Sequence, residues 1–334
     1  MRRTARAAST LAAVVIAAVV FTGCAASGED VVAPTPTPTP TPEAVLDTST
    51  LRTMIDSPVE TPTLTELGEV EALVGETAMQ VSYVSGGATV TGVVRTPAGD
   101  GPFPAVVVVH GSVNPETYES GRDLLAMQRT LLDAGYVVFA PDLRGFADSD
   151  PADAENGMTV ETFGWDLVLD WGMAWDVVNA LRLVRDGEVA AVDTTRVGLL
   201  GHSLGGLLAL DAAVIAPGSS DMIIALAALP SDFGDLISTE IEPSSEPFGT
   251  TPEYWADISP ATFVDRATEP LLLIHGGDDH DALPEWSQRT AQIWQDAGLR
   301  SEAIVIDGTG HLFEGAQAEL DGMVVAAFDG GMGR

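Results

Sequence analysis

Lysine is absent from this 334-residue chain: all 15 basic residues are arginine, set against 49 acidic ones, for a formal net charge of −34. Such a surface repels phosphate backbones and anionic headgroups, which argues against nucleic acid as a partner. Its plainest reading is a solvated acidic shell that keeps the protein soluble, with salt adaptation or steering of cationic substrates as alternatives. Cysteine is nearly absent too. Cys24 stands alone, so no intramolecular disulfide can form, and an unpaired thiol in an exported chain needs a reason. No internal repeat and no cofactor- or metal-binding spacing is evident. What the chain has is apolar residues, 46% of the total, enough for a sizeable core in one large domain.

The first residues account for the cysteine. Arg2, Arg3 and Arg6 form a basic start, and Leu11 to Phe21 an apolar run too short to span a membrane. Phe21-Thr-Gly-Cys24 follows and resembles the lipobox of bacterial lipoproteins, with Phe where Leu is usual. That resemblance implies a signal peptide over residues 1–23, lipidation of Cys24 and anchoring on the extracytoplasmic side of a bacterial cell membrane. Residues 24–43 include APTPTPTPTPE, in which alternating prolines lack the N–H that helix or sheet needs, so an extended stalk is expected. Residues 44–78 mix Thr, Pro and acidic residues with scattered Leu and Val. They read as an extension with a short helix or with no fixed structure.

From Met79 onward, apolar β-branched runs alternate with helical patterns. Strands are expected at Met79–Val84 and Ala88–Arg95 around a Ser85-Gly-Gly turn, then at Pro104–His110, Tyr136–Ala140, Arg196–Leu200, Met222–Leu229, Leu271–Ile274 and Ala303–Ile306. Helices are expected at Leu124–Ala134, Trp165–Arg185, Leu204–Ala216, Glu285–Ala297 and Phe313–Phe328. The alternation implies an α/β domain over residues 79–331, with a mostly parallel doubly wound sheet and helices on both faces. Residues 230–259, rich in acidic residues, Pro and Ser, read as a small lid. Its Phe233, Phe248, Tyr254 and Trp255 either line an acyl pocket or hold the lid down.

The chemistry concentrates at Gly201-His202-Ser203-Leu204-Gly205. A strand precedes it and a helix follows, the setting in which a serine can sit on a strained turn with its hydroxyl beside a helix N-terminus. Glycines at both flanks relieve the crowding where strand meets helix. A serine nucleophile needs a general base and a carboxylate to orient it. His280 and His311 are the histidines beyond the elbow that lie outside strands. His311 follows a strand at the sheet edge where ligands gather and is the expected base. For the acid, Asp278, Asp279 and Asp281 compete, with Asp279 first by spacing. His275 reads as a packed strand-end residue and His280 as a surface neighbour. The oxyanion hole is expected from the amides of Leu204 and of Ser112, with Val113 next after Ser112.

The stretches PFPAVVVVHGS, AGYVVFAPDLRGFADSD, RVGLLGHSLGG, YWADISPATFVDRATEPLLLIHGGDDHDALP and GTGHLF resemble the α/β-hydrolases related to prolyl oligopeptidases and dienelactone hydrolases. The resemblance runs from about Met79 to Phe328. It implies the α/β-hydrolase fold, a triad of Ser203, Asp279 and His311, no cofactor, and a structural loop near the site that contains Asp142 and Arg144. Dienelactone hydrolases generally carry Cys at the elbow, where this chain has Ser. The acid loop has one residue more than usual between Asp279 and Pro284, and the region before Met79 is too short for a β-propeller. The expected function is a cell-surface serine esterase acting on a small-molecule or peptide acyl substrate. The alternatives are a peptidase or aminoacyl hydrolase with the same triad, and a binding protein on an inactive hydrolase scaffold.

Overall fold

The computed structural model describes residues 46–162, 164–235 and 251–333. The expected signal peptide, Cys24, the Pro-Thr stretch and Phe248 lie outside the described residues. Among the described residues nine strands form one sheet: β1 (Thr65–Glu69), β2 (Thr77–Ser85), β3 (Ala88–Thr96), β4 (Phe103–Val109), β5 (Val137–Pro141), β8 (Val192–His202), β9 (Met222–Leu226), β10 (Leu271–Gly276) and β11 (Ser301–Ile306). Their spatial order is β1-β2-β3-β5-β4-β8-β9-β10-β11. From β5 to β11 every pair is parallel, while β1, β2 and β3 meander antiparallel along the other edge. Gly86 and Gly87, both at positive φ, close the β2–β3 hairpin, as a two-residue turn between twisted strands requires.

The inner parallel strands β4, β5, β9 and β10 are buried on both sides, and their period of two divides the core. Ala105, Val107 and Val109 of β4 point into one apolar cluster, Val106 and Val108 into the other. On the first face lie α1 (Leu51–Asp56), α3 (Gly172–Arg185), α4 (Leu204–Ile215) and α6 (Pro284–Asp296); on the second lie α2 (Leu125–Asp133) and α7 (Gln317–Gly331). A short helix α5 (Pro252–Asp257) stands between β9 and β10.

Two segments differ from expectation. The helix expected over Trp165–Arg185 begins only at Gly172. Trp165–Asp170 is a strand, β7, paired antiparallel with β6 (Gly157–Thr162). The sequence WDLVLD alternates, and Leu167 and Leu169 are buried, so its period of two outweighs the helical spacing read through Trp171. The extension before Met79 is built into the domain. Thr50 caps α1 through a reciprocal pair of hydrogen bonds with Thr53, and Leu51 and Met54 enter the core. One carboxylate oxygen of Glu60 accepts from Trp175 Nε1 (2.6 Å), Asn179 Nδ2 (2.6 Å) and the Gly86 amide (2.9 Å).

Candidate active site

β8 runs into the elbow and α4 leaves it. Between them Ser203 has φ 55° and ψ −116°, a conformation that costs a non-glycine residue of order 1–3 kcal/mol and persists only where its surroundings over-determine it. They do. The Ser203 amide donates to Leu226 O at 2.8 Å, and the Ser203 carbonyl accepts from Gly206 N at 2.9 Å. A Cβ on Gly201 would overlap the backbone of Gly205, and one on Gly205 would overlap the carbonyls of Val109 and His110. The flanking glycines thus let β4, β8 and α4 meet at this turn. Leu204 is the first residue of α4, so its amide has no acceptor within the helix.

Across the sheet edge, the loop after β11 carries His311 and the loop after β10 carries Asp279. His311 Nδ1 donates to Asp279 Oδ2 at 2.8 Å. Asp279 is 2% exposed, whereas Asp278, His280 and Asp281 are exposed. The Asp279 carboxylate has a full complement of donors. His275 Nε2 reaches Oδ2 at 3.1 Å, and the amides of Asp281 and Ala282 reach Oδ1 at 2.9 and 3.0 Å. Burial pushes this carboxyl up, but the hydrogen bonds from His275, His311 and the Ala282 amide outweigh it and hold it far below the usual carboxylate range. Asp279, Asp281 and His311 place one ligand atom each within 4.8 Å of one another. With four N–H donors on Asp279 the set is a hydrogen-bonded cluster, and a cation there would have to displace those donors.

His275 is completely buried. Its Nε2–H is shared between Asp279 and Ala282 O (3.0 Å), and its Nδ1 lies 2.7 Å from Ser287 Oγ on α6. It is therefore more than a packed strand end, because it fixes the carboxylate that faces His311. His202 is a second residue whose part the sequence left unread. Its Nε2–H donates to the His311 carbonyl at 2.9 Å, and the two rings meet at a tilt with their centroids 4.8 Å apart. Burial, followed by the nearby His311, pushes the His202 imidazole down to about 4. The partner of His202 lies far along the chain and leaves no local signal, whereas the partners of His275 lie within the next twelve residues and meet it only through the way the turn after β10 folds.

Ser203 and His311 line one cavity of about 760 Å³, together with Gly111, Ser112, Val113, Trp165 and Asp281. Its wall at residues 111–123 is held by Asp142, whose carboxylate accepts from Tyr118 Oη, Ser120 Oγ, the Gly121 amide and Thr91 Oγ1 at 2.6–3.0 Å. Arg144 lies beside it in a buried bidentate pair with Asp176. The expected lid aromatics sit elsewhere. Phe233 packs edge-on against Trp171 and stacks with Trp255, and Tyr254 Oη accepts from Trp171 Nε1. These three hold the segment down. It is Trp165, at the start of β7, that reaches the cavity.

A serine on a strained strand–helix turn, with a carboxylate-bound histidine from the last strand loop on the same cavity, is the arrangement of one fold. Residues 104–251 match the α/β hydrolase fold family. The chain has the α/β-hydrolase fold. It is 27% identical to the esterase EstD of Thermotoga maritima over 257 residues, covering 66% of this chain and 57% of that protein. It is 25% identical to the human protein ABHD12B over 213 residues, covering 60% and 52%. The chain thus spans a little over half the length of these curated relatives. Among solved α/β-hydrolases, acetyl xylan esterase 1 from Thermoanaerobacterium superposes with a TM-score of 0.60 at 19% identity, covering 83% of this chain and 92% of that one. A puromycin-hydrolysing peptidase of Mycobacterium tuberculosis gives 0.58 at 18% identity, covering 82% and 46%.

Proposed function

We propose that this α/β-hydrolase is a serine esterase in which Ser203 is the nucleophile, His311 the general base and Asp279 the carboxylate that orients it. Ser203 Oγ attacks the ester carbonyl carbon while His311 Nε2 takes the hydroxyl proton. The amides of Leu204 and Ser112 receive the oxyanion; each such donor contributes roughly 3 kcal/mol to the transition state. Collapse of the tetrahedral intermediate expels the alcohol, which takes the proton from His311, and leaves an acyl-enzyme. Water, deprotonated by His311, then releases the acid. The observation that carries the reading is the 2.8 Å bond from His311 Nδ1 to Asp279, in a histidine that shares its cavity with Ser203. That bond leaves Nε2 as the nitrogen able to serve the serine.

Ester rather than amide cleavage is supported by the relative that is an esterase. The solved peptidases extend the comparison only at the level of fold. We further propose that lipid on Cys24 and the Pro-Thr stretch hold the enzyme on the outer side of a cell membrane. A fluorophosphonate probe should label the protein at Ser203 and fail to label Ser203→Ala. A folded wild-type protein that resists the probe would overturn the proposal. Aryl esters should turn over faster than aminoacyl anilides, and the reverse order would move the reading to a peptidase. Radiolabelled palmitate should enter the full chain and be lost in Cys24→Ala.

A further inference from the structure

The ester reading leaves the substrate open, and the walls of the cavity narrow it. At about 760 Å³ the space falls in the range that encloses drug-sized ligands; an acetyl group occupies a small part of it. Two aromatic walls are fixed. Tyr118 spends its hydroxyl on Asp142 (2.9 Å), and its ring packs against His110 and Phe146 at 4.8 and 5.4 Å, so it offers the cavity a ring. Trp165 is held in register opposite Thr162 in the β6–β7 hairpin. Leu312, 65% exposed beside His311, extends the apolar surface at the rim.

The charged wall is effectively of one sign. Glu119, Asp123 and Asp281 line the cavity, and among the described residues Arg122 is the one arginine lining it. Arg122 is already matched, 3.1 Å from Glu119 and 3.6 Å from Glu71. Asp281 places a carboxylate oxygen within 4.8 Å of a His311 ring nitrogen. A carboxylate in that place opposes a second anion beside it. The net charge of −34 adds a field of the same sign at longer range.

Resting on the esterase reading, we infer that the site takes uncharged or cationic esters whose aromatic or bulky apolar part lies against Trp165 and Tyr118, and turns away esters that carry a carboxylate. The 4-nitrophenyl esters of pentanoic acid, of succinic acid and of 4-(trimethylammonio)butanoic acid are similar in length and differ in charge. At low salt, kcat/KM for the hemisuccinate should fall at least about tenfold below the pentanoate, the effect of one opposed charge pair at ~6 Å in a partly solvated cavity. The cationic ester should not fall below the pentanoate. The hemisuccinate gap should narrow severalfold at about 0.5 M salt and in Asp123→Asn/Asp281→Asn, whose fold is checked by thermal melting. Equal rates on the anionic and neutral esters, or a gap unchanged in the double variant, would overturn the charge rule. Trp165→Ala should lower kcat/KM for 4-nitrophenyl cinnamate by about tenfold more than for 4-nitrophenyl acetate, and equal losses would remove the aromatic part. Calorimetric binding of the same esters to Ser203→Ala gives the same ranking without turnover. If the wild type hydrolyses none of them, the esterase reading falls while that ranking still decides the charge rule.

Discussion

His202 should make the stability of this protein depend on pH in a narrow window. In the folded state burial, followed by the nearby His311, pushes its imidazole down to about 4, against 6.5 for the free side chain. Below pH 6.5 the unfolded chain therefore takes up a proton that the folded chain refuses. Stability from this group is complete above about pH 6.5, declines as the pH falls, and levels off near pH 4, where both states are protonated. A gap of about 2.5 pH units at ~1.4 kcal/mol each amounts to roughly 3 kcal/mol. His202→Gln isolates the effect, since glutamine keeps a side-chain N–H for the His311 carbonyl and does not titrate. Urea unfolding of both proteins from about pH 4 to 7.5, at fixed ionic strength, gives the difference curve. Asp279, whose carboxyl is held far down, is present in both proteins and drops out of the difference. The curve should rise with a limiting slope near 1.4 kcal/mol per pH unit. Parallel curves would refute the account and mean that His202 is hydrated or already charged in the native state.

Other expectations follow from single contacts. Asp211 on α4 is 6% exposed and faces a small cavity lined by Leu51, Leu169, Trp171 and Ile258, and its Oδ1 has no hydrogen-bond partner. Burial pushes its carboxyl well up, so Asp211→Leu should raise stability by about 1–3 kcal/mol. The gain should be larger at pH 7 than at pH 4, because only above its ordinary range does the unfolded state ionise this group. His275→Phe removes one donor from the carboxylate facing His311. It should slow labelling by a fluorophosphonate about tenfold, the equivalent of one ~1.5 kcal/mol hydrogen bond to a charged group, and a rate within twofold of wild type would argue against the positioning role. Glu60→Ala leaves Trp175 Nε1 and Asn179 Nδ2 without their shared acceptor and should lower stability by about 2 kcal/mol, read as a shift in the urea midpoint at constant slope.

The features legible in the sequence are those in which local sterics and periodicity settle the matter. The elbow could be read because the glycines at 201 and 205 are demanded by backbones that nearly touch there. The parallel strands could be read because burial on both faces leaves continuous Val, Ile and Leu runs. The acid could be narrowed only to three aspartates. What separates them is which carboxylate the turn after β10 folds inward onto the amides of Asp281 and Ala282, and a one-residue change in that turn would alter the choice. The β6–β7 hairpin is masked in the sequence because its alternating residues run straight into the helix at Gly172, so two periods overlap around Trp171. The extension is not legible because what holds it to the domain, the core contacts of Leu51 and Met54 and the Glu60 carboxylate, depends on partners far along the chain, those of Glu60 on α3 lying more than a hundred residues away.

That last point extends to the site as a whole. Ser203, His311 and the amides proposed for the oxyanion hole stand on loops at one edge of the sheet, and loops by themselves do not hold sub-ångström geometry. Here each loop is tied by a buried polar group that has its partners. Asp142 gathers residues 118–121. Arg95 donates to both Glu76 and Gln128, and the Gln128 side-chain amide in turn donates to the carbonyls of Gly121 and Asp123. His275 and His202 fix the two sides of the Asp279–His311 pair. An apolar contact would bury such loops equally well but would tolerate sliding, whereas a hydrogen bond inside a low-dielectric wall is directional and costly to leave unmade. Asp211, buried without a partner for Oδ1, lies in the second half of α4 against a cavity that shares no lining residue with that of Ser203. Buried polar groups are thus fully matched where they set the position of the site, and the unmatched carboxyl lies where position matters least. Replacing Asp211 by an apolar residue should accordingly change stability while leaving the labelling rate of Ser203 alone, and a parallel loss of labelling would show that the two regions are coupled through α4.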